Sequence, residues 1–130
     1  MTEWDFVKIL ENYGMDVSKI HAPGEDELEY VRAKFMLNFP NYKEENDTIA
    51  YYNRREQAFF ISRKLHYRFK NKISKISILG EDCPHCDMTT DYQRYEMDDE
   101  KGVTDAITYL AKRFKDISNN IRIKIVKEDF

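Results

Sequence analysis

Residues 59–70 read FFISRKLHYRFK, and this stretch decides the fold class. Its odd positions are apolar except for Arg63, whereas its even positions after Phe60 are polar or basic. A period of two is typical of a β-strand with one buried face. Residues 48–53 are predicted to form the preceding strand and residues 54–56 the turn, so a β-hairpin is expected. A single long helix through the same residues is the competing interpretation.

The segments before this hairpin follow the helical period. Thr2 and Asp5 have the spacing of a capping box, which predicts a first helix that ends at Gly14. A short connection through His21 and residues 23–24 then leads to a second predicted helix. Its apolar stripe is Leu28, Val31, Phe35 and Phe39, and it is expected to stop before Pro40.

Three more strands and one helix are predicted downstream. One strand ends at Gly80, a short one spans residues 91–97, and the last spans residues 121–126. The third helix is capped by Asp98 or Asp99 and ends at residues 119–120. Its apolar stripe is Val103, Ala106, Ile107, Leu110, Phe114 and Ile117. The expected fold class is α+β, with a mainly antiparallel sheet of four to five strands packed on about three helices, in the order ααβββ(β)αβ.

Size and composition limit the class of protein. A chain of 130 residues with 42% hydrophobic and 35% charged residues is expected to form one globular domain over residues 1–130. A domain of this size needs neither a disulfide nor a metal in order to fold. No apolar run is long enough for a membrane span, and residues 1–5 do not resemble a signal peptide. A cytoplasmic location and no membrane partner are therefore expected.

Charge is strongly segregated along the chain, although the net charge is only -3. Residues 1–53 have a net charge of -6, residues 54–80 of +7, residues 81–105 of -7 and residues 106–130 of +3. A patchy field of this kind favours docking against an oppositely charged patch on a partner. It also allows the chain to fold its own acidic and basic segments together.

The chain has two cysteines, and they lie in the tetrapeptide Cys83-Pro84-His85-Cys86. Their spacing is that of half a zinc site, of a redox pair, or of a turn that holds two reduced thiols. A complete zinc site at Cys83 and Cys86 would need two further ligands, for which His21 and His66 are the candidates besides nearby carboxylates. Zinc is therefore a cofactor candidate, and folding without any cofactor is the main expectation.

The same tetrapeptide resembles the active-site motif of thioredoxin-like disulfide oxidoreductases of the periplasmic type, which also read Cys-Pro-His-Cys. The resemblance implies a catalytic Cys83 and a resolving Cys86. That family carries a cis-proline loop further along the chain, whereas no proline follows Pro84 here.

A basic row is the second candidate site. It comprises Lys64, His66, Arg68 and Lys70, with Arg54 and Arg55 nearby and with Arg122 and Lys124 added if their strand is a neighbour. Side chains on one strand face are spaced about 6.6 Å apart, close to the phosphate spacing of an extended nucleic acid, and Tyr51, Tyr52 and Phe60 offer stacking surfaces. Three interpretations remain open: a solvated sheet face, a nucleic-acid interface, and a dock for an acidic protein surface.

An acidic patch at Asp98, Asp99 and Glu100 is the third candidate. The surrounding segment, residues 81–105, has nine carboxylates but lacks the alternating acids and central glycine of an EF-hand loop. It also lacks the strand-borne acids and lysine of a metal-dependent nuclease. No phosphate-binding glycine loop or serine elbow occurs elsewhere.

These observations predict a non-enzymatic binding protein. Its expected partner is a protein, engaged through the segregated acidic and basic patches, as in small inhibitor, immunity or mobile-element accessory proteins such as an anti-defence inhibitor. The alternative is a nucleic-acid-binding module that uses the basic sheet face. A further alternative is a zinc-binding or thiol redox protein built on Cys83 and Cys86.

Overall fold

The computed structural model describes residues 1–23, 26–40, 42–70, 75–80 and 91–128. In chain order the elements are α1 (Glu3–Asn12), β1 (Asp16–His21), β2 (Leu28–Lys34), β3 (Lys43–Glu44), β4 (Ala50–Asn53), β5 (Ala58–Ser62), β6 (Leu65–Lys70), β7 (Lys75–Gly80), β8 (Tyr92–Glu96) and α2 (Glu100–Glu128). The fold is α+β, as predicted. Within the described ranges it has two helices, not about three.

The strands form two sheets. The larger sheet is antiparallel with the order β1-β2-β4-β5-β8. The smaller sheet has the order β3-β7-β6, with β3 parallel and β6 antiparallel to β7. The prediction of a mainly antiparallel sheet of four to five strands is confirmed, and the second sheet is an addition that was not predicted.

The stretch of residues 59–70 is extended, but it is divided between the two sheets. β5 pairs with β4 through the predicted turn, which confirms the hairpin and excludes the long helix. The strand breaks at Arg63, the one odd position that is not apolar. There the hydroxyl of buried Ser62 donates to the carbonyl of Lys64 over 2.8 Å, and the Arg63 guanidinium turns outward to Asp91 at 3.2 Å. Because the charged side chain of Arg63 is costly to bury, the chain leaves the larger sheet at this residue and continues as β6 of the smaller sheet.

The predicted starts of the first and third helices are confirmed. Thr2 and Asp5 form a reciprocal capping box at the start of α1, and Gly14 follows the helix end with a φ of 75°. Asp99 caps α2, because its Oδ1 atom accepts from the backbone N–H of Gly102 over 2.9 Å.

The core lies between the helices and one face of each sheet. Phe6 of α1 packs on Phe59 of β5 with ring centroids 4.5 Å apart, and Phe114 of α2 stacks on Phe35 just after β2 at the same distance. The hydroxyls of Tyr13 and Thr108 lie 2.8 Å apart and join α1 to α2. The predicted layer of sheet and helices is therefore formed, and it leaves the opposite face of the large sheet uncovered by either helix.

The predicted second helix is wrong, because its residues form β2 and the extended chain after it. Ile20 pairs with Tyr30 and His21 pairs with Leu28, so Glu29 is an extra, bulged residue opposite β1. The bulge returns Leu28 to the buried face together with Val31, three residues later. The bulged strand therefore buries two apolar residues that are three positions apart, which is also the spacing on one face of a helix. The predicted connection before it also contains β1, whose residues are almost all exposed and give little apolar signal.

The predicted last strand is also wrong, because α2 continues through Asn119 and Asn120 to Glu128. Burial follows the helical period: Ile117 and Ile121 are fully buried, whereas Ile123 is 55% exposed. Asparagine lowers helix stability by less than about 1 kcal/mol, so tertiary packing of Ile121 decides the conformation. Although α2 has 29 residues, no helix within the described ranges is long and apolar enough to cross a membrane.

Asn46 joins the two sheets. Its amide nitrogen donates to the carbonyl of Phe35 over 2.9 Å, and its oxygen accepts from the backbone N–H of Ile78 in β7 over 2.8 Å. Its neighbour Glu44 accepts from the backbone N–H groups of Leu37 and Asn38 over 2.7 and 2.8 Å. The side chains of Glu44 and Asn46 therefore pair backbone groups of residues 35–38, which follow β2, and of Ile78 in β7.

We expect Asn46→Ala to lower the free energy of unfolding by about 2–4 kcal/mol, because it leaves the Phe35 carbonyl and the Ile78 N–H unpaired where both residues are buried. Urea unfolding measures the change. Asn120→Ala, at an exposed position of α2, is the matched control and is expected to retain wild-type stability. Equal stability of the two variants would contradict this role for Asn46.

Candidate functional site

The outer face of the large sheet is the face that neither helix covers. Strand register places one row of side chains on it, comprising Ser18, Arg32, Tyr51, Phe60 and Arg94. Tyr30 lies beside this row on β2 and Tyr92 on β8. The opposite, helix-facing row holds Val31, Tyr52, Phe59 and Tyr95.

An aromatic ladder, defined by Tyr30, Tyr51 and Phe60, crosses three strands of this outer face. Tyr51 stacks on Phe60 with centroids 4.6 Å apart and planes 11° apart, and Tyr30 stacks on Tyr51 at 5.8 Å and 24°. Tyr92 meets Tyr51 edge-on at 4.9 Å. The Arg94 guanidinium ends the ladder 5.6 Å from the centre of the Phe60 ring. These contacts are the aromatic pairs that stabilise neighbouring strands.

The ladder presents ring edges to solvent. The 4.6 Å separation of Tyr51 and Phe60 is about the spacing of neighbouring strands, so the two rings stand upright on the sheet. Their faces are then occupied by each other and by Arg94. The three rings of the ladder and the neighbouring Tyr92 are all partly exposed.

Burial also acts on the ionisable groups of the ladder. Desolvation raises the pKa of Tyr51 and of Tyr30, because burial disfavours the charged phenolate form. The pKa of Arg94 is raised first by its hydrogen bond to Glu96, whose Oε1 atom accepts from Nε over 2.9 Å. Arg94 also contacts Glu56 at 3.2 Å and is held in place on both sides.

A polar groove runs where the outer faces of the two sheets meet, and we call it the junction groove. It consists of two adjoining cavities of about 440 and 210 Å³ that share Lys34 and Asn46. Cations and carboxylates both line it. The residues along it include Asp16, Ser18, Arg32, Lys34, Glu44, Glu45, Asn46, Asp47, Thr48, Arg68 and Ser77.

The basic row predicted from the sequence is only partly assembled. Leu65 is buried while Lys64, His66 and Arg68 are exposed, and Lys70 is the last residue of β6. Arg54 and Arg55 lie in the β4–β5 turn, at the other end of β5 and so about 15 Å or more from Lys64. Arg54 is bound there by Glu27 at 2.9 Å. The structure therefore does not bring Arg54 and Arg55 into the basic row.

Arg122 and Lys124 belong to α2 and not to a neighbouring strand. The Arg122 guanidinium lies 5.9 Å from the Phe39 ring, and the Lys124 ammonium lies 5.2 Å from the Phe69 ring. Both cations thus cover aromatic rings. Of the predicted stacking residues, Tyr51 and Phe60 share the outer face, whereas Tyr52 is buried on the helix side.

The acidic patch lies within the described residues, whereas the cysteine pair does not. Asp98, Asp99 and Glu100 are all exposed, and Asp99 is engaged as the cap of α2. Cys83 and Cys86 lie outside the described residues. His21 lies in β1 and His66 in β6, which belong to different sheets. Among the described residues, no three or more histidine, cysteine or acidic side chains are grouped so as to hold a metal ion.

Sequence reasoning missed Tyr30, Arg32 and Arg94 as site residues. Tyr30 and Arg32 lay in the wrongly predicted helix, and Arg94 lay in the weakest predicted strand. For Tyr30 and Arg32, the period-two spacing on either side of Val31 was the available signal. No family model, curated protein or solved structure matches the chain, so the assignment of function depends on this geometry.

We expect the free energy of unfolding to fall as the pH rises above about 10, where tyrosine ionises in the unfolded chain. Tyr30 and Tyr51 have raised pKa values in the folded state, so their stabilising contribution is complete below the unfolded pKa and is lost as the pH rises through the folded pKa. Tyr51→Phe is expected to reduce this alkaline loss, measured by urea unfolding at several pH values. Tyr109→Phe, at an exposed position of α2, is the control for removing one hydroxyl, and a loss unchanged by Tyr51→Phe would contradict the assignment.

Proposed function

We propose that this chain is a non-enzymatic binding protein that docks a protein partner on the outer face of its large sheet. The single observation that carries the proposal is the aromatic ladder with its terminal Arg94. Aromatic rings and arginines are the side chains that protein interfaces favour over the rest of the surface, whereas lysine and glutamate are depleted there. Rings that are already fixed by stacking lose little conformational entropy on binding.

The edge-on rings support a protein partner over a nucleic acid. Single-stranded nucleic acids are held by stacking of bases on exposed ring faces. In the ladder, Tyr30 and Phe60 take up the two faces of Tyr51, and Tyr51 and Arg94 take up the two faces of Phe60. Ring edges and hydroxyls suit the side chains and backbone of a protein surface.

The mixed charge of the junction groove supports the same choice. A nucleic-acid backbone presents uniform negative charge, and it would meet Asp16, Glu45 and Asp47 along the groove. A protein surface can place opposite charges against each of these groups. The segregated charge of the sequence agrees with such a partner, and the inhibitor, immunity or mobile-element accessory classes in a cytoplasmic setting remain the proposed context.

Nucleic-acid binding is a second candidate because Lys64, His66 and Arg68 point outward from one edge of the small sheet. Lysines on an edge strand also prevent edge-to-edge association, which is the alternative explanation for the same row. Direct titration with an oligonucleotide separates these explanations.

We expect Tyr30→Ala and Tyr51→Ala each to weaken partner binding by about tenfold or more, because interfacial tyrosines often contribute about 2 kcal/mol. The partner is isolated from the native host with the wild-type chain, identified by mass spectrometry and purified, and its affinity for each variant is measured by calorimetry. Hydrogen exchange is expected to show protection of β4 and β5 in the complex.

Tyr109→Ala is the matched control, because Tyr109 is 55% exposed on the helix side. Circular dichroism confirms that all three variants are folded. Equal loss of affinity with Tyr109→Ala, or no loss with either ladder variant, would refute the proposed face. Tight binding of a single-stranded oligonucleotide that depends on Arg68 but not on Tyr51 would support the second candidate instead.

A further inference from the structure

We propose that the open edge of β1, the side of this strand that faces away from β2, receives an extended basic segment of the protein partner. The segment adds to the five-stranded large sheet as a further strand. The inference rests on the proposed function, since β1 borders the outer face that carries the ladder and Ile20 of β1 is the cross-strand neighbour of Tyr30. Strand addition obtains affinity from main-chain hydrogen bonds and specificity from alternate side chains.

The backbone of β1 directs hydrogen-bonding groups at this open edge. The Ala33 carbonyl of β2 accepts a hydrogen bond over 2.8 Å from the chain that enters β4. Backbone direction alternates along an antiparallel strand, so Arg32 bonds on the other side, to its partner Ser18 in β1. By the same alternation, Val17 and Lys19 point their N–H and C=O groups away from β2. Within the described residues, no strand lies beside them on that side.

The other sheet edges are shorter or partly closed. Beside β8, the Glu96 carbonyl already accepts from the backbone N–H of Asp99 over 3.0 Å. In β6, the Leu65 carbonyl accepts from Nε of Arg113 over 3.4 Å. The strand β3 has two residues. Because β1 has six residues, of which five are exposed, it offers the longest uncovered edge in the part of the chain that the structure describes.

Exposed apolar side chains flank both faces of this edge. Ile20 lies on the outer face and is 55% exposed. On the helix side, Trp4 of α1 is 43% exposed, and its ring centre lies 5.9 Å from that of His21 in β1. The side chains of an added strand alternate between the two faces of the sheet, so they can cover Ile20 on one face and Trp4 on the other.

The surface around the edge is acidic, which favours a basic segment. Residues 1–34 contain α1, β1 and β2, and they carry eight acidic residues against four lysines and arginines. Arg54 of the β4–β5 turn binds Glu27 at 2.9 Å, and acids remain in excess when it is included. Lys19 of β1 is itself bound to Glu11 of α1 at 3.4 Å. A segment that carries lysine or arginine is therefore attracted to this edge.

The test uses three fluorescein-labelled peptides of about seven residues, a typical strand length. The first alternates lysine and valine, the second has glutamate in place of each lysine, and the third is the lysine peptide with every backbone amide methylated. We expect the lysine peptide to bind the full chain, as measured by fluorescence anisotropy. Glutamate is expected to weaken binding by about fivefold or more because of the acidic field. Methylation is expected to weaken it by about tenfold or more, because it removes the donors of the added strand.

Two variants of one residue examine the protein side of the contact. Lys19→Pro removes an outward N–H at a position where an edge strand tolerates proline, and we expect it to weaken the lysine peptide by about tenfold or more. Lys19→Ala is the matched control, because it removes the same side chain and its ion pair with Glu11 but keeps the N–H. Its affinity should change by less than about twofold. Circular dichroism establishes whether both variants are folded.

Amide exchange of the wild-type chain, followed by NMR, gives a readout that does not depend on the folding of Lys19→Pro. We expect the lysine peptide to protect the amides of Val17 and Lys19, whereas the amide of Ser18, which faces β2, is protected already in the free chain. Protection at another sheet edge without Val17 and Lys19 would overturn the inference. So would the absence of peptide binding, equal binding of the methylated peptide, or an equal loss with Lys19→Ala.

A second copy of the chain is the competing occupant. A dimer that excludes the peptide and is abolished by Lys19→Pro, seen by analytical ultracentrifugation, would overturn the inference in favour of that copy. The peptide assay uses neither the partner nor the ladder. Ladder-dependent partner binding without peptide binding removes only the added strand. Peptide binding beside a partner that is insensitive to Tyr30→Ala and Tyr51→Ala removes only the proposed docking face.

Discussion

Two of the hydrogen bonds of the Asn46 side chain, those with the Phe35 carbonyl and the Ile78 N–H, are the constraint on which the arrangement of the two sheets depends. One bond holds the chain leaving β2, and the other holds β7, so this amide links the two sheets beside the backbone hydrogen bonds of Asp47 to β7 and of Ile49 to β2. Backbone groups at a sheet junction cannot all be paired by a regular ladder, and side chains must complete them. Asn46 and Glu44 do so, and the junction groove is the space left between the sheets that they join.

The stability of the fold and the chemistry of the outer surface are therefore linked. The carboxylates beside Asn46 accept from backbone N–H groups and from Lys75, so residues that line the groove also hold the two sheets together. The helices bury the opposite face, where Phe6, Phe59, Phe35 and Phe114 pack. Neither α1 nor α2 covers the outer face, and its rings are stabilised by stacking on one another across the strands.

Local signals in the sequence were sufficient to predict four features: the capping box at Thr2, the Asp99 cap, the β4–β5 hairpin and the apolar stripe of α2. These features depend on neighbouring residues alone. The division of residues 59–70 between two sheets, and the helical state of residues 121–126, depend on contacts with distant parts of the chain. The sequence alternates through Arg63 and through Ile123, as it would in one continuous strand. The pattern alone therefore does not reveal the break at Arg63 or the helix at Ile123, which only tertiary burial decides.

The bulge at Glu29 explains why the candidate site was the hardest part to predict. In a regular strand Leu28 and Tyr30 would lie on one face, so either a leucine would be exposed or the first ring of the ladder would be buried. The extra residue separates them, with Leu28 fully buried and Tyr30 on the outer face. The same residue places Leu28 and Val31 on one face and so imitates a helix in the sequence. The bulge at Glu29 therefore allows the ladder to form, and it also explains why the sequence pattern predicted a helix in its place.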